Sequence, residues 1–223
     1  MAAEPTIRPF GDSALLVDLA ETATVHALDA ALRARPLAGI FATVPGLESL
    51  LVEYDPLRTD LETLARAVVD RAGEAEPAAV AGRHRSIPVA YGGELGPDIE
   101  EVAQLVGLSV DEVVATHTGV DLRVLIDGFA PGFAYLGHLP FEVPRLTTPR
   151  TRTPADSVAV AGRMSGIYPA ELPGGWRVIG RTSITLFDPR REPPAYLAPG
   201  DAVRFVAVTP DELERRAGAP DDW

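Results

Sequence analysis

Apolar positions in the first 75 residues follow two alternating periods. Thr6–Phe10 and Ala14–Leu19 read as strands on either side of Gly11-Asp12-Ser13. Val25, Leu28, Ala31 and Leu32 then recur at helical spacing, and Pro36 with Gly39 ends that helix. Ile40–Val44 and Leu47–Tyr54 form a second strand pair that turns at Pro45-Gly46. Leu61, Leu64, Ala65, Val68 and Val69 make one apolar stripe, with Thr59 or Asp60 placed to cap its start and Gly73 to close its end. Two strands and a helix, given twice, outline a small α/β sandwich with both helices on one sheet face.

The texture changes after Glu74–Gly82, a stretch of Ala, Pro and Glu that reads as a linker. The expected domains are residues 1–82, including that linker, and residues 83–223. Arg85–Tyr91 is a strand ending at Gly92-Gly93. One short helix near Pro97–Val106 stops at Gly107, and the next opens with Ser109 and Glu112 in capping-box spacing. From Asp121 onward, short apolar strands alternate with Gly/Pro turns: Ser157–Val160, Ile167–Tyr168, Trp176–Ile179, Ile184–Phe187 and Ala202–Val208. That spacing predicts a closed barrel or a sandwich. Thr209 and Glu212, with Pro210 at the first helical position, predict a short terminal helix.

Within this barrel-like half, Gly128 to Gly137 (GFAPGFAYLG) places three aromatic rings, three glycines and one proline in ten uncharged residues. Such a segment is either a bent strand with aromatic core packing or a shaped aromatic groove for a ligand or partner. Tyr168-Pro169 and Pro173-Gly174-Gly175-Trp176 add two more rings on rigid turns. Candidate groove residues are therefore Phe129, Pro131, Gly132, Phe133, Tyr135, Tyr168 and Trp176.

Composition narrows the chemistry. The net charge of −12 disfavours nucleic acid and anionic membranes as partners. No apolar run is long enough to span a bilayer, and Met1–Pro5 carries no secretory signal, so a cytoplasmic protein is expected. The absence of cysteine removes disulfides and thiolate chemistry. His26, His84, His117 and His138 are scattered without ligand spacing, so no metal site is expected. The sequence contains no lysine, no phosphate loop and no Gly-x-Ser-x-Gly elbow, which leaves arginine as the fixed cation for anionic groups. His117 reads either as a dipole-compensating residue in a last helical turn or as a site residue. Arg150 and Arg152 lie in a proline-bounded stretch, which reads as a solvated basic loop or as a carboxylate binder.

Several segments in this order resemble the KipI family, also described as allophanate hydrolase subunit 1 and as the 5-oxoprolinase B subunit (PxpB). They are IPVAYGGELGPD (87–98), GLSVDEVVATH (107–117), GFAPGFAYLGHLP (128–140), GIYPAELPGGWRVIGRT (166–182), LFDP (186–189) and LAPGDAVRF (197–205). The resemblance implies an α+β fold: a ferredoxin-like α/β sandwich followed by a cyclophilin-like β-barrel. It implies no prolyl isomerase activity. It also implies one subunit of an ATP-dependent 5-oxoprolinase, which opens the 5-oxoproline lactam to glutamate with ATP as co-substrate. The implied partners are the A-type and C-type subunits of that enzyme, the latter allophanate hydrolase subunit 2-like, and the isolated chain is not expected to be active. In that reading Arg152 binds a carboxylate, Phe133, Tyr168 and Trp176 wall the ring, and His117 moves a proton. The alternative is a regulator that binds and inhibits a sensor histidine kinase. Relatives often read Pro-Ala-Gly-Ser-Val where this chain has Pro154-Ala155-Asp156-Ser157-Val158. Asp127 and Met164 are further departures, in place of less polar and of small or polar family residues.

Overall fold

A computed structural model describes residues 5–75 and 82–215. Most of the Met1–Pro5 reading (residues 1–4) and most of the 74–82 linker lie outside the described residues. The chain divides into two compact units, Met1–Ala81 and Gly82–Trp223.

The first unit runs β1 (Thr6–Pro9), β2 (Ala14–Asp18), α1 (Thr22–Ala34), β3 (Ile40–Pro45), β4 (Ser49–Tyr54) and α2 (Leu61–Glu74). Its antiparallel sheet has the order β1-β2-β4-β3. Taken from β2, the run strand–helix–strand–strand–helix, with β1 as the outer strand, is a ferredoxin-like sandwich entered one strand early. Alternation along β2 and β4 turns Leu15, Val17, Leu50 and Val52 to one face, where they pack with Val25, Leu28 and Leu32 of α1 and Leu64 and Val68 of α2. Both helices therefore cover the same face. Asp60 caps α2 by accepting from the Thr63 N–H at 2.8 Å. Arg71 of α2 donates to the carbonyls of Ala31 (3.0 Å) and Arg35 (2.7 Å), which fills the open C-terminus of α1.

The second unit contains β5 (His84–Tyr91), α3 (Ile99–Val106), α4 (Val110–Thr118), β6 (Asp121–Asp127), β7 (Ala134–Gly137) and β8 (Arg150–Thr153). It continues through β9 (Ser157–Ala161), β10 (Met164–Ile167), β11 (Leu172–Gly174), β12 (Arg177–Arg181), β13 (Ala202–Ala207) and α5 (Pro210–Arg215). Seven strands close a barrel in the order β10-β7-β6-β13-β5-β12-β9, and β8 pairs with β11 in a separate ribbon. The predicted capping box is present: Ser109 Oγ accepts from the Glu112 N–H at 3.2 Å, and Glu112 accepts from the Ser109 N–H at 2.8 Å. Gly107, with φ +72°, ends α3.

Two expectations are corrected. Gly73 does not close α2, which runs on to Glu74 with Ala75 at its C-cap. Ile184–Phe187 is no strand; Phe187 makes a single bridge to Ala195, while Ile184 and Leu186 turn into the barrel core. The apolar side chains there serve burial without a ladder partner. Among the described residues no helix is long and apolar enough to cross a membrane, and no group of three or more His, Asp or Glu side chains is placed to hold a metal ion.

The barrel wall beside the aromatic segment is buried on both sides. Val158, Val160, Ile167 and Ile179 face the interior, with Leu136 opposite. Their neighbours Ala159, Ala161 and Val178 face outward into a second cluster with Phe133, Tyr168 and Trp176. Every residue of β9 is buried for this reason. The outward positions are small because rings lie on them: a Cβ at Gly166 would sit 3.0 Å from Phe133 Cζ and 3.1 Å from Trp176.

Candidate functional site

The outer cluster is built around Phe133. Its ring meets Phe129 (5.4 Å between centroids), Tyr135 (5.0 Å), Tyr168 (5.4 Å) and Trp176 (5.7 Å), all edge-on. Pro131 and Gly132 do not wall the site; they make the turn that aims it. The Phe133 N–H donates to the Ala130 carbonyl at 2.9 Å, and Gly132 has φ +84°, the backbone that a Pro-Gly turn of type II requires. The two readings of this segment divide between residues. Phe133, Tyr168 and Trp176 are core, at most 4% exposed, whereas Phe129 is 59% exposed. Phe129 also holds φ +71°, a left-handed backbone that is strained for an aromatic residue.

Between these rings lies a hollow of about 90 Å³, walled by Phe129, Phe133, Tyr135, Tyr168 and Trp176. Pro173, Gly174 and Gly175 form its backbone edge, and Arg145 completes the lining. Gly174 is required there, because a Cβ would run into the Tyr168 hydroxyl. The Arg145 guanidinium lies 6.0 Å from the Trp176 ring centre. Burial raises the Tyr168 phenol above its ordinary pKa, partly offset by the Trp176 backbone and Thr153 and, less, by Arg145 and Arg150. The phenol is protonated at neutral pH.

The hollow is small. One water occupies roughly 30 Å³ of liquid, and a dry cavity that admits benzene measures about 150 Å³. The hollow's volume has room for part of a small ring only. Its lining contains no carboxylate and no imidazole. The arrangement can grip and orient a ligand, and its titratable side chains are two phenols and one guanidinium.

The other two candidates sit elsewhere. Arg152 points outward, with its side chain 79% exposed, and pairs with Glu171 at 3.2 Å. Its neighbour Arg150 reaches inward and donates to Asp98 at 2.6 Å; the second Asp98 oxygen accepts from the Val178 N–H at 2.6 Å. These bonds tie the β8–β11 ribbon to the start of α3 and to β12.

His117 is fully buried at the end of α4, inside the barrel rather than at the hollow. It stacks on Phe205 with centroids 4.3 Å apart. Its Nδ1 lies 2.7 Å from the Tyr91 hydroxyl on β5, and its Nε2 lies 2.9 Å from Ser165 Oγ on β10. Ser165 gives its own hydrogen to the Ala159 carbonyl at 3.3 Å, so Nε2–H donates to Ser165 and Nδ1 accepts from Tyr91. Burial drives the imidazole pKa down to about 3, so the ring is neutral. The ring bridges strands that lie apart in the barrel order.

Arg145 was not among the candidates. In the sequence it is one arginine among twenty basic residues, in a loop without a motif. Its only signal is position: it precedes the basic loop and folds back onto a tryptophan 31 residues later. A wider depression of about 260 Å³ in the first unit, beside Leu32, Ile40 and Phe41, has Arg33 as its charged member. Arg33 is held by Asp29 at 3.0 Å.

The Asp156 departure has a local explanation. Asp156 has φ +64°, where glycine is the usual residue and aspartate is among the better-tolerated substitutes. The turn keeps its bonds, from the Asp156 N–H to the Tyr168 carbonyl (2.7 Å) and from the Thr182 N–H to the Asp156 carbonyl (3.0 Å).

Residues 5–197 match the family model described as carboxyltransferase domain, subdomain C and D. The chain is 39% identical over 222 residues to the 5-oxoprolinase B subunit of Bacillus subtilis (strain 168), covering 91% of this chain and 92% of that protein. It is 42% identical over 176 residues to the protein of the same name from Escherichia coli O157:H7, covering 76% of this chain and 79% of that one. The crystal structure of TTHA0988 superposes with a TM-score of 0.76 at 36% identity, covering 92% of this chain but only 41% of that longer chain. A two-unit α+β chain with a closed barrel, matched this widely in sequence, belongs to the carboxyltransferase-domain family of subdomains C and D, alongside the proteins named as 5-oxoprolinase B subunits.

Proposed function

We propose that this chain is one subunit of an ATP-dependent 5-oxoprolinase, and that its aromatic hollow is half of a ligand site completed by a partner protein. The reaction is 5-oxo-L-proline plus ATP and water giving L-glutamate, ADP and phosphate, with A-type and C-type subunits as partners. One observation carries the reading: the hollow is lined by five aromatic rings and one guanidinium, yet contains no carboxylate, imidazole, thiol or amine. Relatives named as a subunit fit that incompleteness. So does TTHA0988, in which the matching portion is continued by further polypeptide.

The nucleotide does not fit the hollow. A triphosphate needs a cradle of backbone N–H groups and several cations. The hollow presents one arginine in about 90 Å³, and the sequence has neither lysine nor a phosphate loop. ATP is therefore placed outside the hollow.

The test is ADP and glutamate release with 5-oxoproline, using this chain alone and then mixed with its A-type and C-type partners. Both products in the full mixture, and neither from the chain alone, is the expected result. A complex that forms but leaves 5-oxoproline unopened contradicts the substrate. If no complex forms and a sensor histidine kinase is inhibited instead, the regulatory reading replaces this one.

A further inference from the structure

Arg145 is the charged side chain that faces the hollow, and its surroundings differ from those of the other arginines nearby. Arg150 is held by Asp98, Arg152 by Glu171 and Arg177 by Glu101. Arg145 is exposed and lies over Trp176, with no carboxylate partner among the described residues. A guanidinium on an indole uses its charge against the π-face and keeps its N–H edges free for a planar anion. The indole also limits where the long side chain can swing, which lowers the ordering cost of binding. The rest of the lining is aromatic or backbone, so Arg145 supplies the one formal positive charge of the hollow. In a chain of net charge −12, an anionic ligand meets repulsion until it reaches such a local cation.

Taking the half-site reading as its basis, we propose that Arg145 is the specificity-determining residue of the hollow. It anchors a carboxylate on or one bond from a small ring, and so selects the ring acid over the same ring without the acid. The ring edges into the aromatic walls while the carboxylate stays at the rim against the guanidinium. Two N–H···O bonds to a carboxylate are the strong, charge-assisted kind. Losing them weakens binding by about 10- to 100-fold.

The experiment compares 5-oxoproline with 2-pyrrolidinone, the same lactam lacking the carboxylate, by equilibrium binding to the full chain and to its assembled complex. Wild type is expected to prefer the acid by about 10- to 100-fold. Arg145→Gln is expected to abolish the preference while 2-pyrrolidinone affinity stays within about twofold, and Arg145→Lys to restore part of it. A retained preference in Arg145→Gln, an equal weakening of both rings, or no binding of either ring overturns the proposal. Turnover is measured in parallel. If the complex binds but does not open 5-oxoproline, the enzymatic reading fails, whereas the binding comparison still decides the role of Arg145.

Discussion

The two faces of one barrel wall differ in how completely their polar groups are used. Inside, every strong hydrogen-bonding atom of the Tyr91–His117–Ser165 chain has a partner within 2.7–3.3 Å, and the imidazole is sealed from water. Outside, the wall bears an open hollow, an exposed ring on strained backbone and a guanidinium with no carboxylate partner among the described residues. A satisfied network holds a fold together, while an unsatisfied constellation at the surface awaits something else. Histidine drew attention in the sequence because of its chemistry. In the folded chain, satisfaction and exposure separate the structural residue from the binding one.

The largest expected effect lies inside the wall. His117→Ala removes a fully buried ring, leaves Tyr91 and Ser165 without their partner and opens a cavity against Phe205. The expected destabilisation is about 3–5 kcal/mol, read as a shift in denaturant midpoint. A loss below about 1 kcal/mol would erase the contrast between the faces. Gly174→Ala probes the outer face. Its methyl group collides with the Tyr168 hydroxyl and pushes that ring of the hollow aside, at about 2 kcal/mol of stability. Calorimetry sets the stability change, and ring binding by the variant shows whether the hollow is closed.

Acid separates the two faces further. The folded His117 pKa, at about 3, lies below the ordinary 6.5, so the unfolded chain takes up the proton first. The stability from neutral His117 is complete above pH 6.5 and falls as the pH drops toward 3. The slope reaches about 1.4 kcal/mol per pH unit. Unfolding free energies at several pH values should show this dependence in wild type, and the His117→Asn variant should lack that contribution. The smallest effect is expected at the rim. Phe129→Gly relieves the φ +71° backbone and removes an exposed ring, so stability changes by no more than about 1 kcal/mol while ring binding weakens.

Much of the architecture was legible from local rules. The periodicities of α1 and α2, the Ser109–Glu112 box, the Gly107 stop and the Gly/Pro punctuation of the barrel all act over a few residues. The aromatic rings of the hollow were legible as well, because Gly128–Gly137 and Gly174–Trp176 are unusual in composition. The missing information was long-range. Placement of Arg145 on Trp176 depends on the path of the loop between β7 and β8. The burial of His117 depends on β5, β10 and β13 meeting around one ring. Ile184–Phe187 has a strand's composition, but it lies where its side chains find the core and its backbone finds one bridge. Composition alone cannot tell a paired arginine from an unpaired one, so Arg152 and Arg145 were indistinguishable until Glu171 was seen beside the first.

If the outer hollow binds the ligand of a multi-subunit enzyme, distorting it must stop turnover without breaking assembly. The decisive measurement is 5-oxoproline-dependent ADP release by the complete complex assembled with the Gly174→Ala chain, with assembly checked by size-exclusion chromatography. The expected result is an intact complex whose turnover falls by about tenfold or more, equivalent to at least ~1.4 kcal/mol of lost binding. An intact complex that turns over 5-oxoproline at the wild-type rate with its hollow distorted in this way would contradict a ligand-binding role for this face.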